Sequence, residues 1–134
     1  MNIMYFIIPK CEVAYVYDDY NVRQVLEKIE YYKYSAMPII DRMGHYVGTI
    51  TEGDLLHKIK EEYTLNIKDA ENIPISTIKR RRDNKVVTAE SVMEDLIDAA
   101  VEQNFVPVVD DNNIFVGIIT RKAIIKHLAQ GDRA

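Results

Sequence analysis

A shift of 69 residues lays one stretch of this chain on another without a gap. Pro38 falls on Pro107, Asp41 on Asp110, Val47 on Val116, Gly48 on Gly117, Ile50 on Ile119 and Thr51 on Thr120. Neighbouring positions agree in character: Ile39 and Ile40 with Val108 and Val109, Tyr46 with Phe115, Leu55 and Leu56 with Ile124 and Ile125. Upstream the shift becomes 70, pairing Val22 with Val92 and Leu26 with Leu96, so the second copy lacks one residue just before Pro107. A duplication of this kind restricts the fold more than any other feature. Each copy must be one structural unit that gains its stability by packing on another.

Both copies have the same layout. A β-branched and aromatic run (Val13 to Tyr17; Val86 and Val87) precedes an amphipathic helix. That helix is marked by Val22, Val25, Leu26 and Ile29 in the first copy, and by Val92, Leu96, Ala99 and Ala100 in the second. Asn21 and Ser91 are the expected N-caps. Two short strands follow, joined by Asp-Arg-Met-Gly in one copy and Asp-Asn-Asn in the other, residues that tolerate tight and left-handed turns. A last helix begins near Glu52 and near Arg121. The order is β-α-β-β-α, twice. The fold class is therefore α+β, with two tandem repeats expected to pack sheet to sheet about a pseudo-twofold axis.

The repeats divide the chain into residues 1–62, the first repeat with an N-terminal segment; 63–85, a linker; and 86–134, the second repeat. Asn66 to Asn72 is a candidate short helix stopped by Pro74. Lys79 to Arg82 is a basic cluster in an otherwise acidic chain, read as a solvated linker or as a segment facing an anion.

Composition sets outer limits. The 134 residues carry 17 basic and 21 acidic side chains, a formal charge of −4, which argues against nucleic-acid binding by the surface as a whole. Cys11 is the one cysteine, which excludes an internal disulfide and a multi-cysteine zinc site. No apolar run approaches the ~20 residues of a membrane span. The apolar start lacks a basic leader, so a soluble cytoplasmic protein is expected. His45, His57 and His127 are scattered, and no Walker-type phosphate loop or metal-spaced His pair is present. No catalytic constellation emerges, and an enzyme is not expected. Cys11 is expected to be partly buried. Tyr31, Tyr32 and Tyr34 are expected to pack a helix end into the core.

Chemistry concentrates where a strand meets a helix, at Gly48-Thr49-Ile50-Thr51-Glu52-Gly53-Asp54. Thr51-x-x-Asp54 reads as a capping box. Together with Met37-Pro38-Ile39-Ile40-Asp41 upstream, it resembles the signature of the CBS-domain pair, or Bateman module. The second copy repeats it as Val106-Pro107-Val108-Val109-Asp110 and Gly117 to Ala123. The resemblance spans about residues 5–130, and is similar in detail to small Gram-positive CBS-pair proteins.

That resemblance implies a regulatory adenine nucleotide (AMP, ADP, ATP or cyclic di-AMP) bound in a cleft between the repeats, and no other cofactor or metal. Asp54 would accept both ribose hydroxyls and Thr51 a ribose or phosphate contact. Tyr34, Ser35, Ala36, Met37 and Pro38 would line the base slot, with Val13 and Ala14 as its other wall. The second repeat departs from the pattern, because Ala123 stands where the ribose-binding Asp is expected. Its cleft should be weakened or empty, while Arg121 and Lys122 would serve phosphates. The resemblance also implies a homodimer and a partner protein that reads the bound state. A ligand-free dimeric interaction scaffold is the rival reading. Nucleic-acid binding through residues 79–85 is a more distant one.

Overall fold

The computed structural model describes residues 2–61, 70–80 and 84–131. It contains two compact units, and these do not follow the repeat boundaries. One unit comprises Ala14–Asp83. The other joins Met1–Val13 to Asn84–Ala134, so the N-terminal segment belongs to the unit of the second repeat.

The unit of the first repeat holds a sheet in the order β2-β3-β4, from Val16–Tyr17, Ala36–Ile40 and Tyr46–Thr51. β2 runs parallel to β3, and β3 antiparallel to β4 with Ala36 opposite Thr51. Helices α1 (Val22–Tyr32) and α2 (Glu52–Glu61) complete it. The expected cap at Asn21 is present as a full box. Its side chain accepts the Gln24 N–H at 2.9 Å, and the Gln24 side chain accepts the Asn21 N–H at 2.8 Å. α1 ends on Lys33 in the left-handed conformation.

Val16, Val22, Val25, Ile29, Met37, Ile39, Ile50 and Leu55 form the core of this unit, joined by Ala70, Ile73, Ile75 and Ile78. The described part of the 63–85 segment is thus no solvated tether. It is tied in at 2.9 Å by Val22 N–H to the Ile73 carbonyl and at 3.0 Å by Ile75 N–H to the Tyr20 carbonyl. Most of the expected 66–72 helix lies outside the described residues, as do Arg81 and Arg82.

The other unit has the order β1-β6-β5, from Ile8–Pro9, Phe115–Thr120 and Phe105–Val109. β1 pairs antiparallel with β6, with Pro9 opposite Gly117. The expected strand at Val86 and Val87 is reduced to a bridge between Val87 and Val108. Helices α3 (Met93–Ala100) and α4 (Arg121–Gly131) complete this unit. Its core contains Ile3, Val87, Leu96, Ala99, Val106, Val108, Ile119 and Ile124.

Four expectations are corrected here. Ser91 does not cap α3. Val92 occupies the N-cap, Asp95 accepts the Val92 N–H, and the Ser91 hydroxyl instead accepts the Thr88 N–H. Val92, expected on the core face, is exposed. Tyr31, Tyr32 and Tyr34 do not enter the core, being 80, 43 and 47% exposed. The left-handed Lys33 turns the chain so that the Tyr34 ring stacks on Tyr32 outside it, with centroids 5.8 Å apart. Cys11 is exposed rather than partly buried.

Candidate functional site

The strand-to-helix corner of the first repeat is built from local hydrogen bonds. The Asp54 carboxylate accepts the Thr51 N–H, and the Thr51 hydroxyl accepts the Asp54 N–H, each at 3.1 Å. The box forms because β4 ends at Thr51 and leaves the first N–H groups of α2 without intrahelical acceptors. Asp54 is only 2% exposed, an unusual position for a carboxylate. The start of α2 also collects the positive end of the helix dipole, which favours an anion there.

The segment expected to form the base slot is latched to that corner. The Glu52 N–H donates to the Ser35 carbonyl at 3.0 Å, and Ala36 pairs with Thr51 across the sheet. Within this stretch the side chains diverge. Met37 is buried in the core cluster, so only its backbone is available to a ligand. Pro38 lies next along the same strand. It sits inside β3 opposite Thr49, where its missing N–H removes one ladder donor. Tyr34 and Ser35 are exposed.

Ala14, expected in the opposite wall, packs against the same core. The next residue is held from α1: the Lys28 ammonium donates to the Tyr15 carbonyl and lies 5.3 and 5.9 Å from the Tyr15 and Tyr20 ring centres. Burial pushes the Lys28 amine below its ordinary value. Lys28 was not legible as a site-supporting residue, because its partner lies 13 positions away with no motif linking them. The buried Tyr46 hydroxyl contacts the Thr49 hydroxyl at 2.6 Å.

Val13, Arg121 and Lys122 belong to the other unit. There Thr120 keeps the cap, accepting the Ala123 N–H at 3.1 Å, while Ala123 has no carboxylate to return the bond. Arg121 is half-buried, and its Nε donates to the Ala100 carbonyl at 2.7 Å, which closes the end of α3. Lys122 is exposed. Among the described residues no cluster of His, Cys, Asp or Glu gathers as a metal site, and no helix is long and apolar enough to cross a membrane.

Comparison with known proteins agrees with this anatomy. The solved structure of CbpB in complex with c-di-AMP is 25% identical, with a TM-score of 0.84 over 97% of this chain and 85% of that one. A CBS domain protein from Streptococcus pneumoniae TIGR4 is also 25% identical, with a TM-score of 0.83 over 95% of this chain and 86% of that one. Inosine-5'-monophosphate dehydrogenase of Methanocaldococcus jannaschii is 31% identical over 115 residues, covering 86% of this chain. This chain spans only 21% of that enzyme's length. The sequence pattern of the CBS domain matches residues 7–61 and again 75–130, so the chain belongs to the CBS domain family, as a pair of repeats.

Proposed function

We propose that this protein is a cytoplasmic regulatory sensor. It binds AMP, ADP, ATP or cyclic di-AMP at the first repeat and passes the bound state to a partner protein. The observation that carries this reading is the Thr51–Asp54 pair at the start of α2, with Asp54 buried, latched to the backbone of residues 34–36. Asp54 would accept the ribose hydroxyls, at roughly 1.5–3 kcal/mol for each charge-assisted bond. Thr51 and the first N–H groups of α2 would face phosphate. The similarity to a CbpB solved with c-di-AMP supports the ligand class. Signalling would be a population shift, limited by how differently the nucleotide binds the two states. The similarity to a dehydrogenase covers a small part of that enzyme, and we assign a regulatory role here rather than a catalytic one.

A homodimer is part of the proposal. An apolar groove of about 530 Å³ runs between α1 and α2, lined by Leu26, Ile29, Leu55, Leu56 and Ile59. Covering it with a second copy would bury Leu56, which is 55% exposed. The same groove also suits the rival reading, a ligand-free dimeric scaffold.

The experiment is calorimetry against AMP, ADP, ATP, cyclic di-AMP and S-adenosylmethionine, repeated on Asp54→Ala. Saturable heat at about one site per chain, lost in the variant, is expected. A folded dimer giving no heat with any of them would leave the scaffold reading.

A further inference from the structure

The two repeats treat the same backbone position in opposite ways. The Glu52 N–H meets the Ser35 carbonyl, and the Arg121 N–H meets the Asn104 carbonyl, so Ser35 and Asn104 are counterparts. It follows that Tyr34 corresponds to Gln103 and Ala36 to Phe105. The Val16–Ile39 and Val87–Val108 pairings make Ala14 the counterpart of Lys85.

In the second repeat the lead-in segment runs parallel to β5. The Val87 N–H donates to the Pro107 carbonyl and the Val109 N–H to the Val87 carbonyl, both at 3.0 Å. One step earlier that ladder fails, because Pro107 has no N–H to offer the Lys85 carbonyl. The Gln103 side chain enters there. Its Oε1 accepts the Lys85 N–H at 2.7 Å, and its Nε2 donates to the Lys85 and Phe105 carbonyls at 3.1 Å each. Only this orientation of the amide matches one donor and two acceptors. Gln103 is 5% exposed, so the wedge is closed to water.

In the first repeat Pro38 likewise lacks the N–H that the ladder would offer to Ala14. Tyr34, in the place of Gln103, stacks its ring on Tyr32 and stays half-exposed rather than turning into the wedge. The Watson–Crick edge of adenine sets an acceptor, N1, beside a donor, the N6 amine. That is the pattern a carboxamide presents.

We propose that Gln103 is a built-in occupant of the second repeat's base slot, its amide standing where an adenine edge would sit. This rests on the nucleotide reading of the first repeat. The second repeat then lacks both halves of a nucleoside site. The ribose carboxylate is replaced by Ala123, and the base slot is filled from within. Two unrelated changes fall in the same repeat, and both spare the first. The chain takes one nucleoside for that reason, and restoring both positions creates a second site.

The test is AMP calorimetry on wild type, Gln103→Ala, Ala123→Asp and the double variant, each checked for folding by circular dichroism. One site per chain is expected for wild type and for each single variant, and two for the double variant. A folded double variant still at one site, or a wild type already at two, overturns the proposal. Wild type binding no nucleotide would sink the first-repeat reading and leave this one to a second measurement. The Gln103 side-chain amide protons, assigned by their loss in Gln103→Ala, should exchange with solvent roughly 100-fold more slowly than those of an exposed glutamine. Fast exchange overturns the plug whatever the nucleotide result.

Discussion

Thr51 and Asp54 exchange two hydrogen bonds of 3.1 Å, so one carboxylate both caps α2 and stands as the candidate ribose acceptor. The roles separate by substitution. Asp54→Asn keeps an oxygen for the Thr51 N–H but loses the charge. Its stability should fall by less than about 1 kcal/mol while AMP affinity falls roughly 10–100-fold. Asp54→Ala should lose the affinity and also about 1–2 kcal/mol of stability. Thermal denaturation beside calorimetry reads both. Equal affinity in wild type and Asp54→Asn would leave Asp54 as a cap alone.

Arg121 is tied by Nε to the Ala100 carbonyl, a bond that a lysine ammonium cannot reproduce in the same planar geometry. Arg121→Lys should therefore cost about 1 kcal/mol in urea denaturation despite keeping the charge. An unchanged midpoint would show that the end of α3 does not need this bond.

The turn after β3 predicts a pH dependence. Asp41 accepts the backbone N–H of His45 at 2.8 Å and of Met43 at 3.0 Å, and meets the His45 ring. The His45 N–H, aided by the ring, holds the Asp41 carboxyl below its ordinary 3.8. A depressed folded pKa gives stability that is complete above the unfolded value and disappears as pH falls through the folded one. As pH falls below about 4, wild type should lose more stability than Asp41→Asn, since the variant has no carboxylate to protonate. Parallel profiles in a urea series would remove Asp41 from the account.

Lys33 holds φ 58°, a conformation that costs a side chain energy and glycine none. Lys33→Gly should raise stability by about 0.5–1 kcal/mol. A lower melting temperature would mean that the Lys33 side chain makes compensating contacts.

Gly117 sits where β1 crosses β6. A Cβ there would lie 2.3 Å from the Ile8 carbonyl oxygen and 2.9 Å from the Ile7 side chain. Gly117→Ala should cost more than about 2 kcal/mol and free residues 2–13 to limited proteolysis. A resistant N-terminal segment in the variant would show that β1 shifts without loss.

The sequence by itself determined what is local or periodic. The duplication, the β-α-β-β-α order, the Asn21 cap, the turn that begins at Asp41 and the Thr51–Asp54 box are all patterns of residues a few positions apart. Hydrogen bonds across three or four residues leave such a signature. Ser91 misled because the helix starts one residue later, with Val92 at the N-cap and the Asp95 carboxylate accepting its N–H. Tertiary structure alone decided the rest. It set Met1–Val13 in the unit of the second repeat and put Ile73, Ile75 and Ile78 in the core of the first. It also placed the Gln103 amide on the backbone of Lys85, 18 residues away. These contacts depend on where two distant segments run side by side, and on which carbonyl a proline leaves without its donor. No spacing in the chain encodes that proximity, because only the closed sheet brings the segments together.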